Sequence, residues 1–169
     1  QRAEHGQPVG HDLGEPERVL EDGRELGKVL ERSAARYGSR VAFPLMDLKL
    51  EKADLLAQLG VDPEQADAFH FVEAPSLDAL EQARSRSSAP FSRRNQAHID
   101  SVAYIANHTE FLPVGMAIGP FSLATKLMPD PITAVAMAGM GLSAAEDSTV
   151  LLVERCLALA EMAVRRSVT

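Results

Sequence analysis

The chain has 169 residues, 46% of them hydrophobic and 24% charged, with a formal net charge of −7. That length and balance suit one domain with its own core and exclude disorder of the chain as a whole. The acidic balance, with no run of interleaved aromatic and basic residues, argues against a nucleic-acid surface, and Cys156, as the single cysteine, excludes an internal disulfide and a multi-cysteine zinc site.

A lone thiol fits a reducing cytoplasm. Its place in a helical apolar pattern makes Cys156 a buried thiol rather than a reactive one. Apolar stretches are interrupted by Pro, Gly, Lys or Asp well short of the ~20 residues a membrane span needs, and no signal-peptide pattern is present.

Residues 1–15 are rich in Gly, Pro, His and acids and read as a flexible arm or a loop cut from its context. From Pro16, at a first helical position, Val19, Leu20, Leu26, Val29, Leu30 and Tyr37 recur at roughly helical spacing, predicting one long amphipathic helix that stops at Gly38. Val41 to Met46 is apolar without alternation, as expected of a strand covered on both faces in a parallel sheet. Leu50 to Leu59 reads as helix closed by Gly60, and Ser76 as the N-cap of a helix reaching about Arg84. A polar, basic loop containing Pro90 follows.

Gln96 to His108 is helical, and Leu112 to Ile118 is a second strand. Phe121 to Met128 and Ile132 to Met140 are helical, and Ser143 with Glu146 forms a capping box for a last helix ending near Val168. The fold class that follows is α/β with parallel strands and several flanking helices. In such folds the loops after the carboxyl ends of parallel strands line the ligand crevice, so Asp47 and the turn Gly119-Pro120 are expected to share one mouth.

The succession AFPLMDLKLE, FHFVEAP, helix, LPVGMAIGPFSLATKLM and long final helix resembles the uroporphyrinogen decarboxylase family, over about Pro16 to Thr169. GPFSLA together with the upstream strand-end aspartate carries the resemblance. The family comprises the decarboxylase of porphyrin biosynthesis and related methyltransferases that move methyl groups between corrinoids and thiols such as coenzyme M. Its members are TIM barrels about twice this length, so the resemblance implies a partial TIM (β/α)8 barrel, the amino-terminal half, spanning residues 16–169. The start at Gln1 and the end on a helix with no following strand fit a truncated chain or one completed by a partner.

The resemblance gives Asp47 the catalytic place, reaching toward the N–H groups of a tetrapyrrole and stabilising positive charge by accepting hydrogen bonds. The alternative is that Asp47 only caps the helix starting near Leu50. Gly119, Pro120, Phe121 and Ser122 are substrate-binding candidates, with free backbone N–H groups facing the crevice, or else simply a tight strand-to-helix turn. Met116 and Phe121 would supply apolar wall.

Two departures weigh against the decarboxylase itself. No arginine-rich segment of the form RQAGRY stands in residues 1–40, and the tyrosine expected after the Gly-Pro turn falls on Lys126, which takes that place among the substrate-binding candidates. FPLMDLKLE is closer to the methyltransferase branch, whose zinc ligands lie in the second half of the barrel.

The five histidines, His5, His11, His70, His98 and His108, show no i,i+4 pair and no neighbouring cysteine, so no metal site is assigned here. His70 reads as a packed or capping residue. The first expectation is therefore a fragment of a corrinoid-dependent methyltransferase-type protein, inactive alone, with corrinoid and zinc belonging to the full-length protein. The alternatives are the decarboxylase and a non-catalytic half-barrel that associates with a second copy as a homodimer.

Overall fold

The computed structural model describes residues 16–140 and 148–168, apart from the side chains of 134 and 137–139. The described chain forms two compact units, one built from residues 16–45 and 91–116 and the other from 46–90, 117–140 and 148–168. The expected arm at 1–15 and the Ser143–Glu146 capping box lie outside the described residues.

In the first unit, α1 (Pro16–Leu20) and α2 (Gly23–Arg36) replace the single long helix expected. The break has a local cause: the Asp22 carboxylate accepts the N–H groups of Arg24 and Glu25 (2.9 and 3.0 Å) and so starts a new helix. Gly23, Leu26, Gly27, Leu30 and Ala34 form the buried stripe of α2. Gly38, at φ +62°, ends it, and Ser39 N–H donates to the Ala34 carbonyl (2.9 Å).

The stripe lies on α5 (Arg93–His108), which Ser92 caps by accepting the Asn95 N–H. Two glycines set how close these helices come. A Cβ on Gly27 would stand 2.4 Å from Cδ1 of Tyr104, and one on Gly23 would stand 2.3 Å from Cβ of Asp100. The Tyr104 hydroxyl donates to Glu31 (3.1 Å) across the same seam.

Two short strands, β1 (Val41–Ala42) and β2 (Leu112–Pro113), pair in parallel with Val41 opposite Leu112 and Ala42 opposite Pro113. Leu30, Ala34, Ala42 and Ile105 form the core of this unit, with Tyr104 and Phe111 against it.

The second unit is helical among its described residues: α3 (Leu50–Gln58), α4 (Leu77–Ser85), α6 (Pro120–Lys126), α7 (Pro131–Met140) and α8 (Ser148–Val168). Ser76 Oγ accepts the Ala79 N–H (3.1 Å), capping α4 where the sequence places a cap. Gly60, at φ +82°, closes α3, with Val61 N–H donating to the Leu56 carbonyl (2.9 Å).

The core gathers Leu55 and Leu56 of α3, Leu123 and Leu127 of α6, and Cys156 and Leu159 of α8. Burial pushes the Cys156 thiol up to about 12. A thiolate is the reacting species, so a disulfide reagent at pH 8 is expected to leave Cys156 unmodified in the native protein and to label it fully in denaturant, as intact-mass measurement checks.

This architecture corrects the expected fold class. The described chain is mostly helical with one two-stranded parallel sheet, and it is not a partial TIM barrel with several parallel strands. Proline is the physical reason both apolar runs give so little strand. Pro44 follows β1 within two residues and Pro113 sits in β2, and neither has an N–H to extend a ladder. Phe69 to Val72 forms no strand either; Phe71 instead meets Phe69 edge-on, at 5.0 Å between ring centroids, and donates its N–H to the Leu127 carbonyl (2.8 Å). Among the described residues no helix is long and apolar enough to cross a membrane.

Candidate functional site

Asp47 lies in the turn between β1 and α3, half-buried, and its Oδ1 accepts the Lys49 N–H (3.1 Å) while its carbonyl accepts the Leu50 N–H (3.4 Å). It is therefore a turn-forming residue, two positions before the N-cap, which is Lys49 and makes no side-chain cap bond. Gly119 is the N-cap of α6 and Pro120 its first residue, as the Gly-Pro spacing implies. Phe121 and Ser122 are exposed on the first turn, and Lys126 is partly buried on the last.

Six of the seven candidate residues thus belong to the second unit, and Met116 belongs to the first. Within the second unit, the link between the Asp47 turn and the Gly119-Pro120 turn is made by a residue the sequence reading passed over. Glu51, one helical turn beyond Asp47, is 6% exposed, and its Oε1 accepts the N–H of Ile118, the residue before Gly119, at 3.1 Å.

Glu51 opens a run of buried charge on α3. Lys52 donates to the Asp67 carbonyl (2.9 Å), and Asp54 lies 4.0 Å from Arg166 of α8. No sequence signal separated these groups from surface charges. LEKADLLAQ alternates charge and leucine too finely to show which charged positions face inward.

Lys49 pairs with the Asp67 carboxylate (2.5 Å), so two successive lysines of this segment hold residue 67. Burial holds the Lys52 ammonium below the ordinary lysine value, against the pull of Asp67 and with added repulsion from Lys126 and Lys49. The hydrogen bond from Lys49 in turn holds the Asp67 carboxyl below its usual range. Lys126 therefore belongs, with Lys49 and Lys52, to a cationic neighbourhood around one carboxylate.

His70 is exposed, although Phe69 and Phe71 on either side pack against the core. Among the described residues, no group of three or more His, Cys, Asp or Glu side chains could hold a metal ion. These residues do not fit the zinc centre that the family resemblance implies for a full-length protein.

A cavity of about 620 Å³ lies elsewhere, in the first unit, where Glu21, Asp22, Arg24 and Asp100 surround the Tyr104 ring stacked on His108 at 4.8 Å. None of the seven candidate residues lines it. No family model matches the chain, and neither the curated proteins nor the solved structures provide a match.

Proposed function

We propose that the chain binds a corrinoid or related tetrapyrrole, as part of a corrinoid-dependent methyltransferase-type protein working in the cytoplasm. The observation that carries this reading is the Glu51 to Ile118 hydrogen bond, which ties the Asp47 turn to the Gly119-Pro120 turn within one unit. A corrinoid supplies the methyl-carrying chemistry when bound. The chain's own residues hold and orient it: Asp47 accepts N–H groups of its amides, and Phe121, 45% exposed, offers apolar contact. Lys126 supplies positive charge toward acidic substituents, where a phenol would stand in the decarboxylase.

The test is absorbance titration with hydroxocobalamin and, in parallel, with a porphyrin carrying carboxylate side chains. Asp47→Asn preserves an oxygen for the Lys49 N–H but removes the charge. Losing charge-assisted hydrogen bonds worth about 1.5–3 kcal/mol corresponds to affinity weakened at least ~10-fold. Corrinoid binding weakened by that factor supports the proposal, and a preference for porphyrin moves the assignment to the decarboxylase branch. Absence of binding to both, or equal affinity of the variant, overturns it.

A further inference from the structure

Backbone pairing and burial together define an unusual face in the first unit. In a parallel pair, directly opposed residues point to the same side of the sheet. Val41 is opposite Leu112, and the Val114 N–H donates to the Ala42 carbonyl (3.0 Å), carrying the register one step further. Burial alternates along residues 42–45, whereas on the partner segment Leu112, Val114, Gly115 and Met116 are all exposed. Ala42, in the core of this unit, and Pro44 are buried, whereas Phe43 and Leu45 are 54% and 86% exposed. On the neighbouring segment Leu112, Val114 and Met116 are 61%, 37% and 36% exposed. Ala42 and Pro44 are therefore turned inward, and five large apolar side chains on and just beyond the paired strands are exposed.

Parallel strands are normally covered on both faces, and a two-stranded ribbon with one face bare is marginal. Pairing at the β1 edge is blunted locally: Ser39 Oγ donates to the Val41 carbonyl (2.7 Å) and accepts the Val41 N–H (3.1 Å). Cover must therefore come face to face rather than by an added strand along β1.

With ~200 Å² for each large apolar side chain, the stated exposures leave roughly 500 Å² uncovered. Two copies of that patch bury about 1,000 Å², the lower bound of a specific interface. The five residues carry no charged or hydrogen-bonding side-chain group, so a two-fold contact places apolar surface on apolar surface with no side-chain charge or donor left unpaired.

We infer that this outer face of the β1–β2 ribbon is a homodimer interface whose occupant is a second copy of the chain. Each copy carries a net charge of −7, so repulsion between copies opposes the contact and screening relieves it. The inference does not rest on the ligand reading, because Asp47, Phe121 and Lys126, which carry that reading, are not among its five residues.

Sedimentation velocity of the whole chain, from about 1 to 200 µM, tests it at two salt concentrations. A reversible dimer that tightens as salt rises is expected. Leu45→Lys and Leu112→Glu, at solvent-exposed positions, should each weaken it at least ~10-fold without changing the far-ultraviolet circular dichroism. A monomer over the whole range overturns the inference. So does a dimer that loosens with salt, or one that both variants leave intact.

Discussion

Replacing Gly27 with valine is expected to destabilise the first unit by about 2–3 kcal/mol, the usual cost of forcing extra atoms into a packed seam. The atoms a side chain would meet are Cβ, Cγ and Cδ1 of Tyr104, at 2.8, 2.6 and 2.4 Å. Rotation about χ1 can swing Cγ and Cδ1 away but leaves Cβ at 2.8 Å, so α2 must still move off α5. Alanine at the same site gains about 1 kcal/mol of helix propensity over glycine and should cost less than valine.

Gly115 provides the control, because a Cβ there meets nothing within 4 Å and its φ lies outside the left-handed range. Gly115→Ala should change stability by no more than ~0.5 kcal/mol. The chain contains no tryptophan, and its two tyrosines, Tyr37 and Tyr104, both lie in the first unit. Tyrosine fluorescence during urea unfolding therefore reads this unit specifically. Equal stability of Gly27→Val and the parent would show that the helices are not locked by that contact.

The second large effect lies in the other unit. Asp54 on α3 and Arg166 on α8 have side chains only 7% and 8% exposed, 4.0 Å apart, and Arg166 also donates to the Ala89 carbonyl. Arg166→Met keeps most of the volume but leaves a carboxylate in a poorly solvated place. Removing one member of a buried pair costs about 3–5 kcal/mol.

Asp54→Leu with Arg166→Met should recover much of that loss, since two apolar residues replace two desolvated charges. The measurement is a double-mutant cycle followed by far-ultraviolet circular dichroism, to which the helices of this unit contribute strongly. Additive single effects would mean that the two charges are held by other partners and do not act as a pair.

Where the sequence was legible, a local chemical rule settled the outcome. Gly38 and Gly60 end helices because each takes a positive φ that other residues resist, and Ser76 caps α4 through its own hydroxyl. Pro120 begins α6 for the same kind of local reason.

The strands failed because an apolar run is only permission to form a strand. Whether it does depends on partners and available N–H groups, and Pro44 and Pro113 remove donors within the runs that looked most strand-like. The expected barrel rested on those runs and fails with them. At the candidate site, the turns holding Asp47 and Gly119 followed from sequence, but Glu51 did not. Its role depends on a backbone N–H 67 positions away, which no helical periodicity encodes.

The order in which the two units claim the polypeptide also has a practical outcome. The chain leaves the first unit after Leu45, returns at Phe91 and leaves again after Met116. Each unit is therefore assembled from separated stretches, and any single cut between residues 46 and 116 severs at least one of them. Neither unit can be expressed as one uninterrupted piece without splicing. Isolating the first would require a short artificial bridge from 45 to 91, and the second a bridge from 90 to 117. Shortened versions made by trimming from one end past these crossings should accumulate as insoluble material.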